Sequence, residues 1–111
     1  MDENRRGIFC IGVSGKMRRL YVLVDKNLDP VYACVQGSHA VAQFLIEHSS
    51  KDWNNEYLIF LYADVEKWLK RLERVNSDFS VFNEPDLGGR MTSIATVSDG
   101  RMFKDLKLIK A

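Results

Sequence analysis

The chain has 111 residues, of which 46% are hydrophobic and 28% charged, and its formal net charge is +1. This composition predicts one soluble globular domain and excludes a disordered chain, while the near-neutral charge does not by itself indicate a nucleic-acid partner. No apolar run reaches the about 18 residues of a membrane span, and the N terminus lacks the apolar region of a signal peptide. Cys10 and Cys34 show no metal or redox spacing, so we predict a cytoplasmic protein with reduced thiols.

The first half of the chain predicts an arm, a strand and a helix. Residues 1–18 are assigned to an N-terminal arm, in which "GIFCIGV" (7–13) is a candidate strand. The run "RLYVLV" (19–24) predicts a buried strand, because it is apolar, β-branched and followed by the turn-like "DKNLDP". Proline is tolerated in the first turn of a helix, so Pro30 marks a helix start, and helical spacing continues to about His48.

The second half predicts a strand, a helix and two further strands. "EYLIFLY" (56–62) has the length and composition of a buried strand. Asp64 is a good N-cap for a helix that Asn76 can end. "DFSVF" (78–82) and "MTSIATV" (91–97) are the third and fourth strands, and the tail beyond them is a short strand or a last helical turn.

This order of elements predicts the fold class. Strands that alternate with helices indicate a partly parallel sheet covered by helices, and the short loop between the last two strands favours an antiparallel pair. We therefore expect a small α/β domain over residues 19–111, with a mixed four-stranded sheet flanked by helices.

The first helix has three distinct faces at about 100° per residue. A broad, mainly apolar face is predicted to pack on the core: Val31, Cys34, Val35, Ser38, Val41, Ala42 and Leu45. A polar stripe is centred about 130° away from it. The members of this stripe are Tyr32, Gln36, His39 and Gln43. A third, mostly small flank permits close approach of another backbone, including that of a second subunit in a homodimer. This flank consists of Ala33, Gly37, Ala40 and Phe44.

Two interpretations of the polar stripe stay open: an ordinary solvated helix face, or the wall of a site. Ser38 and His39 point about 100° apart, so they cannot form a nucleophile–base dyad with each other. A site needs partners from elsewhere, and the loop "NEPDLGG" (83–89) offers Glu84 and Asp86 beside glycines. The same composition is also typical of a plain connecting turn.

Three segments, "YVLV", "VQGSHAVAQF" and "GGRMTSIATV", resemble the type II peptidyl-tRNA hydrolases, and more closely a branch of uncharacterised bacterial and phage-type proteins with that fold. The likeness covers residues 19 to about 97. It implies a mixed four-stranded sheet flanked by helices. It also implies hydrolysis, without metal or other cofactor, of the ester that joins a peptide to the terminal ribose of tRNA.

The resemblance also marks positions. Gln36 matches the family's helix glutamine and Thr92 the threonine that starts its last strand. Asp86 is an approximate match to the family's aspartate, because it stands six residues before Thr92 where the family has four. The family's lysine has no counterpart: Tyr32 occupies its position, and Lys26 is near in sequence.

Two hypotheses follow. In the first, Asp86 or His39 activates a water, while Gln36, Thr92 and Tyr32 position an ester of tRNA. The candidate substrate-binding residues are Tyr32, Lys26, Gln43, Gly88, Gly89 and Arg90. Basic residues near both termini are expected to hold the acceptor stem if the two ends meet. In the second hypothesis the chemistry has been lost, and the domain is a binding or regulatory module for an RNA end, a nucleotide or a protein.

Overall fold

The computed structural model describes residues 18–110. The candidate strand at 7–13 therefore lies outside the described residues. The helices and strands are β1 (Arg19–Asp25), α1 (Pro30–Glu47), β2 (Tyr57–Ala63), α2 (Val65–Arg74), β3 (Phe79–Glu84), β4 (Arg90–Val97) and β5 (Lys107–Leu108). Two short 3₁₀ helices, Pro85–Leu87 and Arg101–Phe103, precede β4 and β5.

The strands form one mixed sheet in the order β3-β4-β1-β2-β5. β1 and β2 are parallel, as expected for strands joined through a helix, and the other pairs are antiparallel. The α/β class is confirmed, but the predicted number of four strands is wrong. The C-terminal tail forms both a 3₁₀ helix and a two-residue fifth strand, which pairs Leu108 with Leu61.

The two helices cover opposite faces of the sheet. Successive side chains of a strand point to opposite faces, so β1 contributes Val22 and Val24 to the α1 side and Leu23 to the α2 side. The α1 core also contains Phe44 and Trp53, which are both buried. Because β1 is covered on both sides, its sequence reads as a continuous apolar run.

The predicted helix boundaries are confirmed by their capping contacts. The Asp29 carboxylate accepts the Tyr32 backbone N–H at the start of α1, and Pro30 occupies the first turn. Asp64 accepts the Lys67 N–H at the start of α2. After α2, Asn76 adopts a positive φ of 57°, a conformation that asparagine tolerates at helix ends.

The predicted core face of α1 is wrong. Phe44, assigned to the small-residue flank, is 1% exposed, whereas Leu45, assigned to the core, is 53% exposed. The flank packs on the sheet because it lets the helix backbone come close: a Cβ added at Gly37 would lie 2.5 Å from the Phe60 ring. This flank is therefore a core contact and is not available to a second subunit.

The apolar positions of α1 consequently face outward. A periodic pattern identifies an apolar side of a helix. Which side packs on the sheet also depends on how closely the helix backbone can approach the strands and on the buried hydrogen bonds between them. Despite its apolar outward side, α1 does not qualify as a membrane span, and no other helix in residues 18–110 does.

The burial of α1 predicts opposite outcomes for two neighbouring residues. Phe44→Ala should lower the free energy of unfolding by about 3–5 kcal/mol, because it removes a ring from the packed core. Leu45→Ala should cost about 1 kcal/mol or less, in proportion to its smaller buried area. Denaturant unfolding of both variants at low protein concentration tests this, and equal losses would contradict the assigned face.

Candidate functional site

The carboxyl ends of the parallel strands β1 and β2 form an open edge, which is where ligands usually bind in sheets of this kind. The N termini of both helices and the first residues of β4 lie at the same edge. A cavity of about 390 Å³ opens there. Its lining consists of Asp25, Lys26, Asn27, Asp64, Val65, Glu66, Arg90 and Met91.

An ion pair between Arg90 and Asp25 forms one wall of this cavity. The Asp25 side chain is buried and also accepts the Asn27 backbone N–H at 2.9 Å, while the Arg90 side chain is about half exposed. The buried carboxylate is thus compensated, and the partly exposed guanidinium remains at the cavity surface beside the exposed Lys26. Two of the predicted substrate-binding residues, Lys26 and Arg90, therefore share one cavity.

Gln36 is the centre of a buried polar cluster on the α1 side. Its side chain is 0% exposed, and its Nε2 donates to a Glu84 carboxylate oxygen at 2.7 Å. The Thr92 hydroxyl donates to Gln36 Oε1, and the Ser93 hydroxyl donates to the Gln36 backbone carbonyl at 2.7 Å. Because a carboxylate only accepts, these partners fix the orientation of the amide. The cluster ties α1 to β3 and β4.

Thr92 reaches Gln36 because of an irregularity in the sheet. Phe82 pairs with Ser93, but the next residue of β3, Asn83, pairs with Met91, so Thr92 is an extra residue on β4. Such a bulge changes the direction of the side chain at that point. Thr92 and Ser93 both bond to α1 as a result, although consecutive residues in a regular strand would face opposite sides.

The Glu84 carboxylate is stabilised in its charged form. The hydrogen bond from Gln36 and then the backbone N–H of Asp86 hold its pKa below the ordinary value, against the opposing effect of burial. The nearby His39 lowers this pKa further. Glu84 is therefore ionised at neutral pH. It belongs to the same cluster as Gln36 and Thr92, the two residues that the resemblance marks.

The polar stripe of α1 is not a uniform wall. Gln36 is buried, whereas His39 is exposed and its ring stacks on Phe82 with centroids 4.4 Å apart. Gln43 lies farther along the helix, where it donates to Glu47 at 2.7 Å, and that carboxylate also accepts the Ser80 hydroxyl. Gln43 thus belongs to a contact with the edge strand β3 rather than to the open edge.

The remaining predicted residues lie on or near the loop between β3 and β4. Asp86 is exposed in the 3₁₀ helix, and Gly88 and Gly89 follow with φ of 70° and 82°. These positive values explain the glycines, since other residues rarely adopt them. Tyr32 is half-buried in the first turn of α1.

Sequence reasoning missed two functional candidates. The sequence places Glu84 in a loop without indicating a role for it, and it does not mark Asp25 as a site residue. A signal existed for Asp25, because it ends a buried apolar strand at the edge where ligands bind. The hydrogen bond between Glu84 and Gln36 joins residues that are 48 positions apart in the chain. The local spacing of residues therefore could not predict it.

Lys107 lies apart from the basic residue that begins β1. Arg19 pairs with Tyr57 at the start of β2, whereas Lys107 pairs with Tyr62 near its end. Tyr57 and Tyr62 are five residues apart in β2, a separation of about 17 Å. Arg5, Arg6 and Lys16 lie outside the described residues.

Within residues 18–110, no group of three or more His, Cys, Asp or Glu side chains is arranged to hold a metal ion. The sequence matches no protein-family model and has no significant match among curated proteins. The functional assignment therefore depends on the site itself.

The lowered pKa of Glu84 predicts how the stability of the fold responds to acid. Since the folded-state pKa lies below the unfolded value of about 4.5, the ionised carboxylate stabilises the fold above that pH. This contribution is lost as the pH falls through the lowered pKa. Glu84→Gln should be less stable than the wild type at neutral pH, and the difference should shrink on acidification. Denaturant unfolding between about pH 7 and pH 3 measures this, with the exposed Glu73→Gln as the control. A difference independent of pH would contradict it.

Proposed function

We propose that the chain is a peptidyl-tRNA hydrolase-like protein that acts on the ester at the 3′ end of a tRNA. The observation that carries this proposal is the direct hydrogen bond between Thr92 and Gln36, 56 residues apart in the chain. These are the two residues that the resemblance marks most clearly, and they meet beside the loop that carries Asp86. A chance likeness of short motifs gives no reason for that convergence.

In this proposal Asp86 is the general base. It is exposed, and its backbone N–H is bonded to Glu84, which fixes the loop next to the Gln36 cluster. A carboxylate there takes a proton from water as the water attacks the ester carbonyl. The bond from the carbonyl carbon to the ribose oxygen then breaks, and the protonated carboxyl returns the proton to that leaving oxygen. His39 is a weaker candidate for the base, because its ring lies flat against Phe82.

Gln36 and Thr92 act in this proposal as positioning residues. Both are fully buried, and the amide atoms of Gln36 are already paired with Thr92 and Glu84. They hold the loop of Asp86 at a fixed place relative to α1, so that the base has a defined geometry. Tyr32, at the position of the absent family lysine, offers a hydroxyl donor but no charge for the developing oxyanion.

The open cavity supplies the contacts to the nucleic acid. Lys26 and Arg90 present cations to the phosphates of the 3′ end. Asp64 and Glu66 line the same cavity, and carboxylates accept hydrogen bonds from ribose hydroxyls. A cavity with both cations and carboxylates suits a ribose–phosphate end better than a bare anion.

A second candidate is a binding module that retains the 3′-end cavity without hydrolysis. The observation that favours it is the burial of Gln36, which is 0% exposed and whose Oε1 and Nε2 are already bonded to Thr92 and Glu84, so that its amide does not face the surface where an ester would bind. In this case the cluster is only structural, and the cavity residues account for all binding.

Release of peptide from an N-blocked aminoacyl-tRNA tests the proposal. Asp86→Asn should lower kcat by about 10²- to 10⁴-fold with little change in KM, because the variant lacks a proton acceptor. Asp105→Asn, which alters an exposed carboxylate far along the chain, should match the wild type. Hydrolysis that persists in Asp86→Asn would contradict the role of this residue. A folded wild type that binds tRNA without turnover would support the binding module, and the absence of both binding and turnover would overturn both candidates.

Binding of tRNA should depend on Lys26. Lys26→Ala should weaken binding and reduce the slope of log affinity against log salt by about 1, because one phosphate contact is lost. Lys70→Ala, a matched change on the exposed side of α2, should leave both quantities unchanged. Titration of labelled tRNA at several salt concentrations measures the slope, and equal slopes for the two variants would exclude Lys26 from the interface.

A further inference from the structure

The side of α1 that points away from the sheet is apolar. We call this side the outer face: Val31, Val35, Ser38, Ala42, Leu45 and Ile46, all exposed. Val31 and Ile46, near its two ends, are 74% and 77% exposed. Ser38 is the one polar member, and its hydroxyl is already bonded to the Cys34 carbonyl at 2.8 Å. The outer face therefore offers a partner neither charge nor a free donor proton.

The second helix shows what a solvated face looks like in the same protein. The exposed positions of α2 include Glu66, Lys67, Lys70, Arg71, Glu73 and Arg74. All of these are charged, as expected for a helix whose far side stays in water. The outer face of α1 is the opposite case, and a contiguous exposed apolar patch of this kind marks an interaction surface. No described residue covers it.

The spacing on the outer face is that of a helix-pairing seam. Positions 31, 35, 38, 42 and 45 are separated alternately by four and three residues. This spacing keeps an apolar row facing a partner helix over several turns. The residues that bury α1 against its own sheet lie on the other side of the helix, so the seam plays no part in the monomer fold.

The side-chain sizes along the seam are complementary to themselves. Ser38 lies at the centre, and Val31 and Leu45 lie seven residues to either side of it. A twofold axis at Ser38 would place Val31 of one copy against Leu45 of the other, and Val35 within one residue, about 1.5 Å along the axis, of the small Ala42. Small residues near the centre allow two helices to approach closely without a gap at the ends.

We propose that the outer face binds a second copy of this chain, with the two α1 helices antiparallel and crossing at Ser38. The 18 residues of α1 give a footprint about 27 Å long and 10 Å wide, or about 270 Å² per copy. A stable dimer usually buries about 800 Å² per partner, so this pairing forms a weak, reversible dimer. Each copy already has two complete cores, so the monomer stays folded when the dimer dissociates.

Cysteine cross-linking of the full chain tests the pairing and its direction. In a background with Cys10→Ser and Cys34→Ser, oxidised Ser38→Cys should form a covalent dimer, because the two thiols meet at the axis. Lys70→Cys, on the charged side of α2, should not cross-link above background.

The direction is tested with two further single-cysteine variants. Val31→Cys should cross-link efficiently when mixed with Leu45→Cys and poorly with itself, since its own copies lie about 21 Å apart in an antiparallel pair. Self-cross-linking of Val31→Cys would overturn the antiparallel arrangement.

Sedimentation equilibrium of the unmodified protein provides the independent measurement. The wild type should show a dimer whose population rises with concentration. Ile46→Lys should weaken association at least about tenfold, because it brings charge to the outer face beside the seam without touching the monomer core. Lys70→Glu should leave association unchanged. A wild type that stays monomeric up to about 1 mM, with Ser38→Cys no more reactive than Lys70→Cys, would overturn the proposal and leave the outer face to residues 1–17 or to another protein.

Discussion

The buried amide of Gln36 is the contact on which the geometry of the candidate site depends. It accepts from Thr92 on β4 and donates to Glu84 at the end of β3, while its own backbone carbonyl is held by Ser93. Removal of any one partner would leave a buried polar group unsatisfied, which costs more than the hydrogen bond itself contributes. The position of the helix relative to two strands, and of the loop that follows Glu84, is therefore set by one side chain rather than by the apolar core alone.

This cluster divides the polar residues of the domain into two groups. Gln36, Thr92 and Glu84 are internal and fix the relative positions of α1, β3 and β4, whereas Lys26 and Arg90 line the cavity at the open edge, where Arg90 is paired with Asp25. The loop between β3 and β4 joins the groups, since its backbone is bonded to Glu84 and its end carries Arg90. Such a division suits a site in which rigid internal groups orient a few exposed ones.

Much of the fold follows from local signals in the sequence. The caps at Asp29 and Asp64 and the buried run of β1 predict their elements correctly, because each depends on neighbouring residues. The predicted face of α1 is wrong, because apolar spacing alone does not show that the Gly37 side of the helix packs on the sheet, where a Cβ would meet the Phe60 ring, while Val35 is left exposed. The convergence of Gln36 and Thr92 was expected only from the resemblance. The bond to Glu84 was not expected at all, since it depends on how β3 and β4 are aligned.

The bulge at Thr92 has a consequence for how the chain tolerates insertions and deletions. Met91 packs on the α2 side, Ser93 bonds to α1, and Ile94 returns to the α2 side, so the strand would alternate regularly if Thr92 were absent. The facing of the other β4 side chains thus does not depend on this one residue, whereas a single insertion or deletion elsewhere in β4 would turn every later side chain to the wrong face. Thr92 is therefore an extra residue in a strand whose other side chains alternate regularly. Loss of Thr92 would therefore preserve the facing of the later β4 side chains but leave the buried Gln36 Oε1 without its donor.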